Sequence, residues 1–304
     1  MSQGRLRIAI VTDGRPANRV QAEGLAEAIA RREEADIQRH DVNVKPLWPT
    51  LALRARLPHL MDVPQADLVI GAGRRGNLVA AAARRAGAKS VAILRPPLPL
   101  SHYDAVVVPD HDRLLGDNVV TTLGALNALT PGRIAEAARN IAPLPPRTLA
   151  VLIGGPSRSA DFGPSGEARL IEDLDGFAAE GWTLAATPSR RTPEGLMDRL
   201  TARFPRMIAW NGAPPNPYPG WLSHAEAILV TADSVNMASE AAATGKPVFV
   251  SGKSASDSKF AAFHAALAAR GITRDAAHGP DHWTYPPLRE ADRVAPLVRD
   301  LTAR

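Results

Sequence analysis

The sequence predicts an α/β protein built from two similar halves, each with strands joined by crossover helices. Three observations carry this reading. Short apolar runs alternate with segments of helical period along almost the whole chain, the pattern of strand–helix–strand units. A proline-rich stretch, Ala142-Pro143-Leu144-Pro145-Pro146-Arg147, breaks that rhythm near the middle and stiffens the chain into an extended connector. The length of 304 residues suits two domains of ordinary size.

In the first half, Leu6–Val11, Ile37–Val42, Asp67–Ile70, Ser90–Leu94 and Ala105–Val108 read as buried strands. Helices are expected over Arg19–Arg32, Gly76–Ala86 and Gly132–Ile141, where the apolar spacing is helical. Beyond the connector, strands are expected at Leu149–Ile153, Thr183–Ala186, Met207–Trp210, Ala227–Val230 and Val248–Val250. Their helices fall at Glu167–Glu180, Pro193–Phe204, Ser234–Thr244 and Ser256–Arg270. Leu288–Leu301 reads as a terminal helix that Pro296 should kink. The expected domains are residues 1–145 and 146–287, with a terminal helix at 288–304 able to cross back to the first domain. Prolines at 95–99 and 214–219 mark rigid loops beside strand ends.

Hydrophobic residues at 45% and charged residues at 22% lie in the globular range. The lack of cysteine excludes disulfides, cysteine nucleophiles and thiolate metal sites. The net charge is +5, and only five of the 36 basic residues are lysine. Arginine binds phosphate in a planar fork, so anionic ligands stay in play. Aromatics at 5% argue against a nucleic-acid platform, and no nucleic-acid partner is expected. No run reaches the roughly 18 apolar residues of a membrane span, and Leu6–Val11 is too short for a signal-peptide core. The expected location is cytoplasmic, with peripheral attachment to the inner face of a membrane as an option through arginine pairs such as Arg84-Arg85.

The most informative segment runs from Ile228 to Val250. A strand should end at Thr231, after which Asp233 or Ser234 can cap a helix whose free N–H groups and dipole attract phosphate. Glu240 lies about two turns in, where a carboxylate can accept from vicinal ribose hydroxyls. Gly245 ends the helix. An ordinary strand–helix–strand unit with a good cap and a solvated glutamate has the same spacing. A second glycine-rich segment, Gly71-Ala72-Gly73-Arg74-Arg75-Gly76, is a literal dinucleotide fingerprint between an expected strand and helix. About twenty residues on, however, stands Arg95 where an acid would hold an NAD ribose, so NADP is the only consistent version. The alternative is a glycine loop with Arg74 or Arg75 facing an anion.

The 231–247 block resembles the nucleotide-sugar motif of GT-B glycosyltransferases. More closely, the chain resembles the family named for plant mitochondrial fission protein ELM1. The resemblance rests on Asp13-Gly14-Arg15-Pro16-Ala17-Asn18 with Gln21, on Gly71–Arg75, and on Pro109-Asp110-His111-Asp112. Further blocks are Leu152–Ser157, Ser189-Arg190-Arg191-Thr192-Pro193 and Asn216-Pro217-Tyr218. It implies a GT-B-like α/β fold, with two Rossmann-like domains of parallel sheets facing a cleft and the donor held by the second half. Carried over by position, Gly154 and Gly155 would let backbone approach a diphosphate, with Ser157, Ser189, Arg190, Asn216, Asp233 and Ser234 beside it. Met237 would pack near the nucleotide and Glu240 would hold the ribose. Gly14, Asn18, Gln21, Gly73 and Arg74 would line the acceptor side.

What this implies is a nucleotide-sugar substrate, an acceptor of unknown class that could be membrane-linked, and no resident cofactor or metal. Asp13 and the His111–Asp112 pair are the candidate general bases. The resemblance also implies a second option, an adaptor with a protein partner in membrane or organelle division. Neither the Gly-x-x-x-x-Gly-Lys-Ser/Thr phosphate loop nor the Gly-x-Ser-x-Gly elbow occurs, which removes common NTPases and α/β-hydrolases.

Overall fold

Side chains alternate along a strand, so a run that is apolar at every position belongs inside a sheet covered on both faces. Leu68-Val69-Ile70-Gly71-Ala72 and Ala105-Val106-Val107-Val108-Pro109 are of this kind, and every residue in both is buried. The structure, a computed structural model, describes residues 5–42, 63–156, 162–253 and 258–303. Two compact units are formed, one from the described residues up to Ala128 together with those from Arg289 on, the other from Leu129–Leu288.

The first unit begins with β1 (Leu6–Thr12), α1 (Pro16–Ala30), β2 (Ala35–Asp41), β3 (Leu68–Ala72), α2 (Gly73–Arg85), β4 (Lys89–Ile93), β5 (Ala105–Pro109) and β6 (Val119–Thr122). The second contains α3 (Pro131–Arg139), β7 (Thr148–Ile153), α4 (Pro164–Ala179), β8 (Thr183–Pro188), α5 (Leu196–Arg203) and β9 (Ile208–Ala209). It continues with α6 (Tyr218–His224), β10 (Ala227–Thr231), α7 (Val235–Ala242), β11 (Val248–Ser251), α8 (Lys259–Ala269) and β12 (Thr273–Asp275). The chain then returns to the first unit as α9 (Glu290–Ala303).

Both sheets are six-stranded and parallel, in the orders β2-β1-β3-β4-β5-β6 and β12-β11-β10-β7-β8-β9. This is the α/β architecture that the alternating pattern predicts. In the first unit, Ile8, Ile10, Ile70 and Ile93 meet Leu25 and Ile29 of α1 and Val294 and Val298 of α9. The opposite face, with Ala9, Val11, Val69 and Val106, is covered by Leu78–Ala83 of α2. In the second unit, Leu149, Val151, Leu229 and Phe249 pack under Leu170, Leu174 and Phe177 of α4.

The helix α9 runs on through Pro296 and is pinned to the first unit by polar contacts as well. Arg31 pairs with Asp292 at 2.6 Å, Arg299 with Glu33 at 2.5 Å, and the Leu123 N–H donates to Glu290 at 2.7 Å. The contact boundary at Ala128/Leu129 lies ahead of the proline-rich connector, because α3 docks on α6. There Gly220 lets the helices close up, since a Cβ would sit 2.4 Å from Ile141 Cδ1. Among the described residues, three strands and α-helices add to the expected set: β6, β12 and α6.

In an open parallel sheet, ligands bind outside the carboxyl ends of the strands where the winding reverses. The first sheet reverses between β1 and β3, since the chain steps from β1 out to β2 and then crosses back. The second reverses between β7 and β10. Gly14 and Gly73 follow the first pair of strands; Gly154 and Asp233 follow the second.

Candidate functional site

At the second reversal point three strand ends are tied together. Thr231, the last residue of β10, accepts from the Gly154 N–H at 2.8 Å and donates to Asp233 Oδ1 at 2.6 Å. Asp233 Oδ2 accepts from the Gly155 N–H at 2.9 Å and from the Arg191 guanidinium at 2.7 Å. A carboxylate that is only 3% exposed must be paired in this way, because an isolated buried charge is very costly. Arg191 also donates to the Gly155 carbonyl at 2.7 Å and the Pro156 carbonyl at 3.2 Å. Behind it, the Thr192 hydroxyl accepts from the Ser189 N–H at 2.8 Å and lies 2.9 Å from the Ile153 carbonyl.

This junction explains both glycines. A Cβ on Gly154 would lie 2.1 Å from Asp233 Oδ2, and one on Gly155 would lie 1.8 Å from the Arg191 carbonyl oxygen. The room that the missing side chains leave is occupied by the protein's own groups. Asp233 therefore ties β7, β8 and β10 together. Of the two arginines it is Arg191 that enters the junction; Arg190 is exposed and makes no hydrogen bond or ion pair among the described residues. Ser157 lies outside the described residues.

Ser234 caps α7, its Oγ accepting from the Met237 N–H at 3.3 Å, and the first turn carries no acidic residue. Two turns in, Glu240 is half-buried and accepts a hydrogen bond from the Tyr218 hydroxyl. Burial pushes the Glu240 carboxyl up to about 7, an effect the Tyr218 bond opposes. Tyr218 is raised too, by burial and by the neighbouring carboxylate. Asn216 is exposed and accepts from the Tyr218 N–H at 3.0 Å, forming the turn that opens α6. At the other end of α6, the Lys246 ammonium donates to the carbonyls of Ser223 and Ala225. Burial lowers that amine.

At the first reversal point, Asn18 donates to Asp13 Oδ1 at 2.8 Å, and the Gly14 N–H donates to Thr12 Oγ1 at 3.1 Å. Gly73 has φ +75°, and a Cβ there would lie 2.3 Å from Asn18 Nδ2 and 3.4 Å from Asp13 Oδ2. Gln21 is buried one turn along α1, donating to the Ala17 carbonyl at 3.3 Å. Arg74 is exposed, with no hydrogen bond or ion pair among the described residues. Asp13, Gly14, Asn18 and Gly73 thus gather at one point.

His111 and Asp112 follow β5, three strand positions from β1 and so about 14 Å along the sheet. Asp13 and the His111 pair are not brought together. The fingerprint glycines are explained by packing within the chain. A Cβ on Gly71 would meet the Gly76 carbonyl at 2.4 Å, and one on Gly76 the Val11 carbonyl at 2.2 Å. Arg95, which an NADP phosphate would need, donates instead to the Asp112 carbonyl at 2.8 Å.

A cavity of about 240 Å³ opens at the carboxyl ends of β10, β11 and β12, lined by Arg169, Asp233, Ser251 and Lys253 among others. Beneath it, buried Asp173 accepts from Ser251 at 2.7 Å and pairs with Arg169 at 2.9 Å. Glu240 does not line this cavity. Among the described residues, no group of three or more His, Asp or Glu is placed to hold a metal, and no helix is long and apolar enough to cross a membrane. Sequence reasoning missed Thr231, Thr192, Arg191 and Tyr218 as members of the site. All four stood in motif blocks, but no sequence signal says which of two adjacent arginines turns inward.

Solved structures of similar fold include a UDP-GlcNAc 2-epimerase of Methanocaldococcus jannaschii in complex with UDP-GlcNAc and UDP. Its TM-score is 0.59 at 11% identity, over 98% of this chain and 100% of that chain. The S. aureus MnaA–UDP co-structure gives 0.55 at 11% identity, over 97% and 88%. Acinetobacter baumannii MurG gives 0.50 at 14%, over 98% and 92%. These likenesses show the fold, which is GT-B-like.

In sequence, the chain is 31% identical to the Arabidopsis thaliana mitochondrial fission protein ELM1 over 274 residues, 78% of this chain. It spans 64% of that plant relative's length. An uncharacterised protein of Rickettsia prowazekii is 25% identical over 97% of this chain and 98% of its own. The Mitochondrial fission ELM1 family matches residues 16–301, and the chain belongs to that family.

Proposed function

We propose that this protein binds a nucleotide-activated sugar at the carboxyl edge of its second sheet and transfers the sugar, without a metal, to an acceptor hydroxyl. The observation that carries the reading is the placement of Glu240. It lies two turns into a helix that starts at the β7/β10 reversal point, with a carboxyl fixed by Tyr218. The free N–H groups and dipole of α7 supply a place for a diphosphate, and exposed Arg190 adds a guanidinium beside the end of β8. Ser189, Ser234, Asn216 and Met237 are the neighbouring contacts in this reading; Gly154, Gly155 and Asp233 hold the strand ends that frame it.

In the transfer, the acceptor oxygen forms a bond to the anomeric carbon as the bond to the diphosphate breaks. The diphosphate leaves with the electron pair, and the acceptor proton passes to a general base. Asp13 or His111, the latter next to Asp112, is assigned that base, and Gly14, Asn18, Gln21, Gly73 and Arg74 the acceptor side. Solved structures of similar fold that hold UDP or UDP-GlcNAc support the donor class.

Isothermal titration with UDP, GDP, ADP, CMP and dTDP tests the reading. One of them should bind, and Glu240→Ala should weaken it by about 1–3 kcal/mol through the lost hydroxyl contacts. A folded protein that binds none of the five would contradict the proposal. The 31% identity to a plant mitochondrial fission protein favours a second reading, a non-catalytic adaptor in membrane or organelle division. A stoichiometric protein partner recovered by pull-down, with no nucleotide bound, would select it.

A further inference from the structure

We propose that Tyr218 is the positioning residue for Glu240: its hydroxyl occupies carboxylate Oε2, fixes the side chain in one orientation, and leaves Oε1 as the acceptor presented to a ligand hydroxyl. The inference rests on Glu240 being the ribose group of the preceding section. A glutamate on a helix surface has three rotatable bonds, and ordering such a side chain costs up to about 2 kcal/mol. Tyrosine has only two, and its ring carries the hydroxyl to a fixed point. A contact made before the ligand arrives therefore removes part of the ordering cost from binding.

For this to work Tyr218 must itself be held. The seven-residue α6 is too short to be stable alone, so tertiary anchors set its position. Three are present. Asn216 receives the Tyr218 N–H, Gly220 closes onto Ile141 and Ala137, and Lys246 bonds the carbonyls of Ser223 and Ala225. They act at the start, middle and end of the helix. Two of the anchors have no other evident use, since Lys246 buries an ammonium to reach those carbonyls and Gly220 gives up a side chain.

Tyr218 is the titratable group that acts on the Glu240 carboxyl, and those on neighbouring elements are held elsewhere. From α6 come Tyr218 and His224, the latter bonded to the Ala138 carbonyl at 3.1 Å. From beyond α7 come Lys246 and Tyr285, whose hydroxyl donates to the Lys246 carbonyl at 2.7 Å. Asp233 precedes the helix and is held by Arg191. The strands β10 and β11 beneath α7 carry no acid or base.

Infrared pH-difference spectroscopy on the unliganded protein tests the contact directly, with Glu240→Gln identifying which protonated-carboxyl band belongs to Glu240. Tyr218→Phe removes a bond that favours the ionised carboxylate, so the Glu240 midpoint should rise by about one pH unit. An unchanged midpoint overturns the proposal. In parallel, UDP affinity is measured at about pH 7 and pH 9. The variant should bind several-fold more weakly than the parent at the lower pH and keep a smaller loss at the higher, where both carboxyls are ionised and only the orienting contact is missing. A pH-independent loss would mark a merely structural role and also overturn it. Absence of UDP binding by the parent would count against the ribose reading, while the infrared shift would still decide whether Tyr218 positions Glu240.

Discussion

Asp233 and Gly154 show how little freedom a single position has at the strand ends. Gly154→Ala would place a methyl 2.1 Å from a carboxylate oxygen that Gly155 and Arg191 already hold. A loss of about 1–3 kcal/mol is expected from such overpacking, read as a lower urea midpoint with unchanged slope. Asp233→Ala should cost a similar amount, about 1–3 kcal/mol, because it leaves the Gly155 N–H without its acceptor.

Glu240 gives a pH dependence with a definite sign. Its carboxyl is raised from 4.5 to about 7 in the folded chain, so the folded state binds the proton more tightly than the unfolded state. Stability from this group is therefore highest below about 4.5, falls as pH rises towards 7, and stays low above it. Glu240→Gln removes the effect. Relative to the parent, the variant should gain roughly 2–3 kcal/mol more at pH 8 than at pH 5 in urea unfolding. Equal differences at the two pH values would contradict the burial argument.

Among the elements, those with a clear apolar run or helical spacing were legible in the sequence, and β6, β12 and α6 were not. β3 and β5 are apolar at nearly every position, and only a doubly covered parallel strand suits such a run. β6 and β12 are edge strands whose sequences, Val119-Val120-Thr121-Thr122 and Thr273-Arg274-Asp275, carry no continuous apolar run. α6 was hidden for a different reason: it starts inside the 214–219 proline run, which reads as a loop. Proline is accepted there because Pro219 stands at the start of the helix, where its missing N–H costs nothing. The glycine blocks were visible too, but not their cause, since the groups pressing on Gly154 and Gly155 come from residues 79 and 36 positions away. The Lys246→Met variant should loosen α6 without unfolding the sheet, seen as faster amide exchange over residues 218–224. Unchanged exchange there would remove Lys246 as the anchor.

At the scale of the whole molecule, part of the basic charge is neutralised on the protein's own surface. Arg5, Arg7, Arg31, Arg39, Arg203 and Arg299 all face carboxylates. Exposed pairs of this kind contribute little to stability, so the arginine excess by itself says little about ligands. What remains informative is the arginine at a strand end with no such partner among the described residues, Arg190 or Arg74. The two units have separate cores, and α9 belongs to the first. Leu25→Ala removes a fully buried side chain from the α1 core shared with Val294 and Val298, at a cost of about 2–5 kcal/mol. Amide exchange should then rise together in α1, β1, β3 and α9. Protection in β7 and β10 should hold, and equal loss there would show that the cores open as one.

On the proposed reading, the second sheet's reversal point holds a nucleotide. A crystal soaked with the nucleotide selected by titration tests it most directly. Density is expected for the phosphates at the first turn of α7 and for a ribose hydroxyl against Glu240. Density at any other site, with Glu240 still bound only to Tyr218, would contradict it.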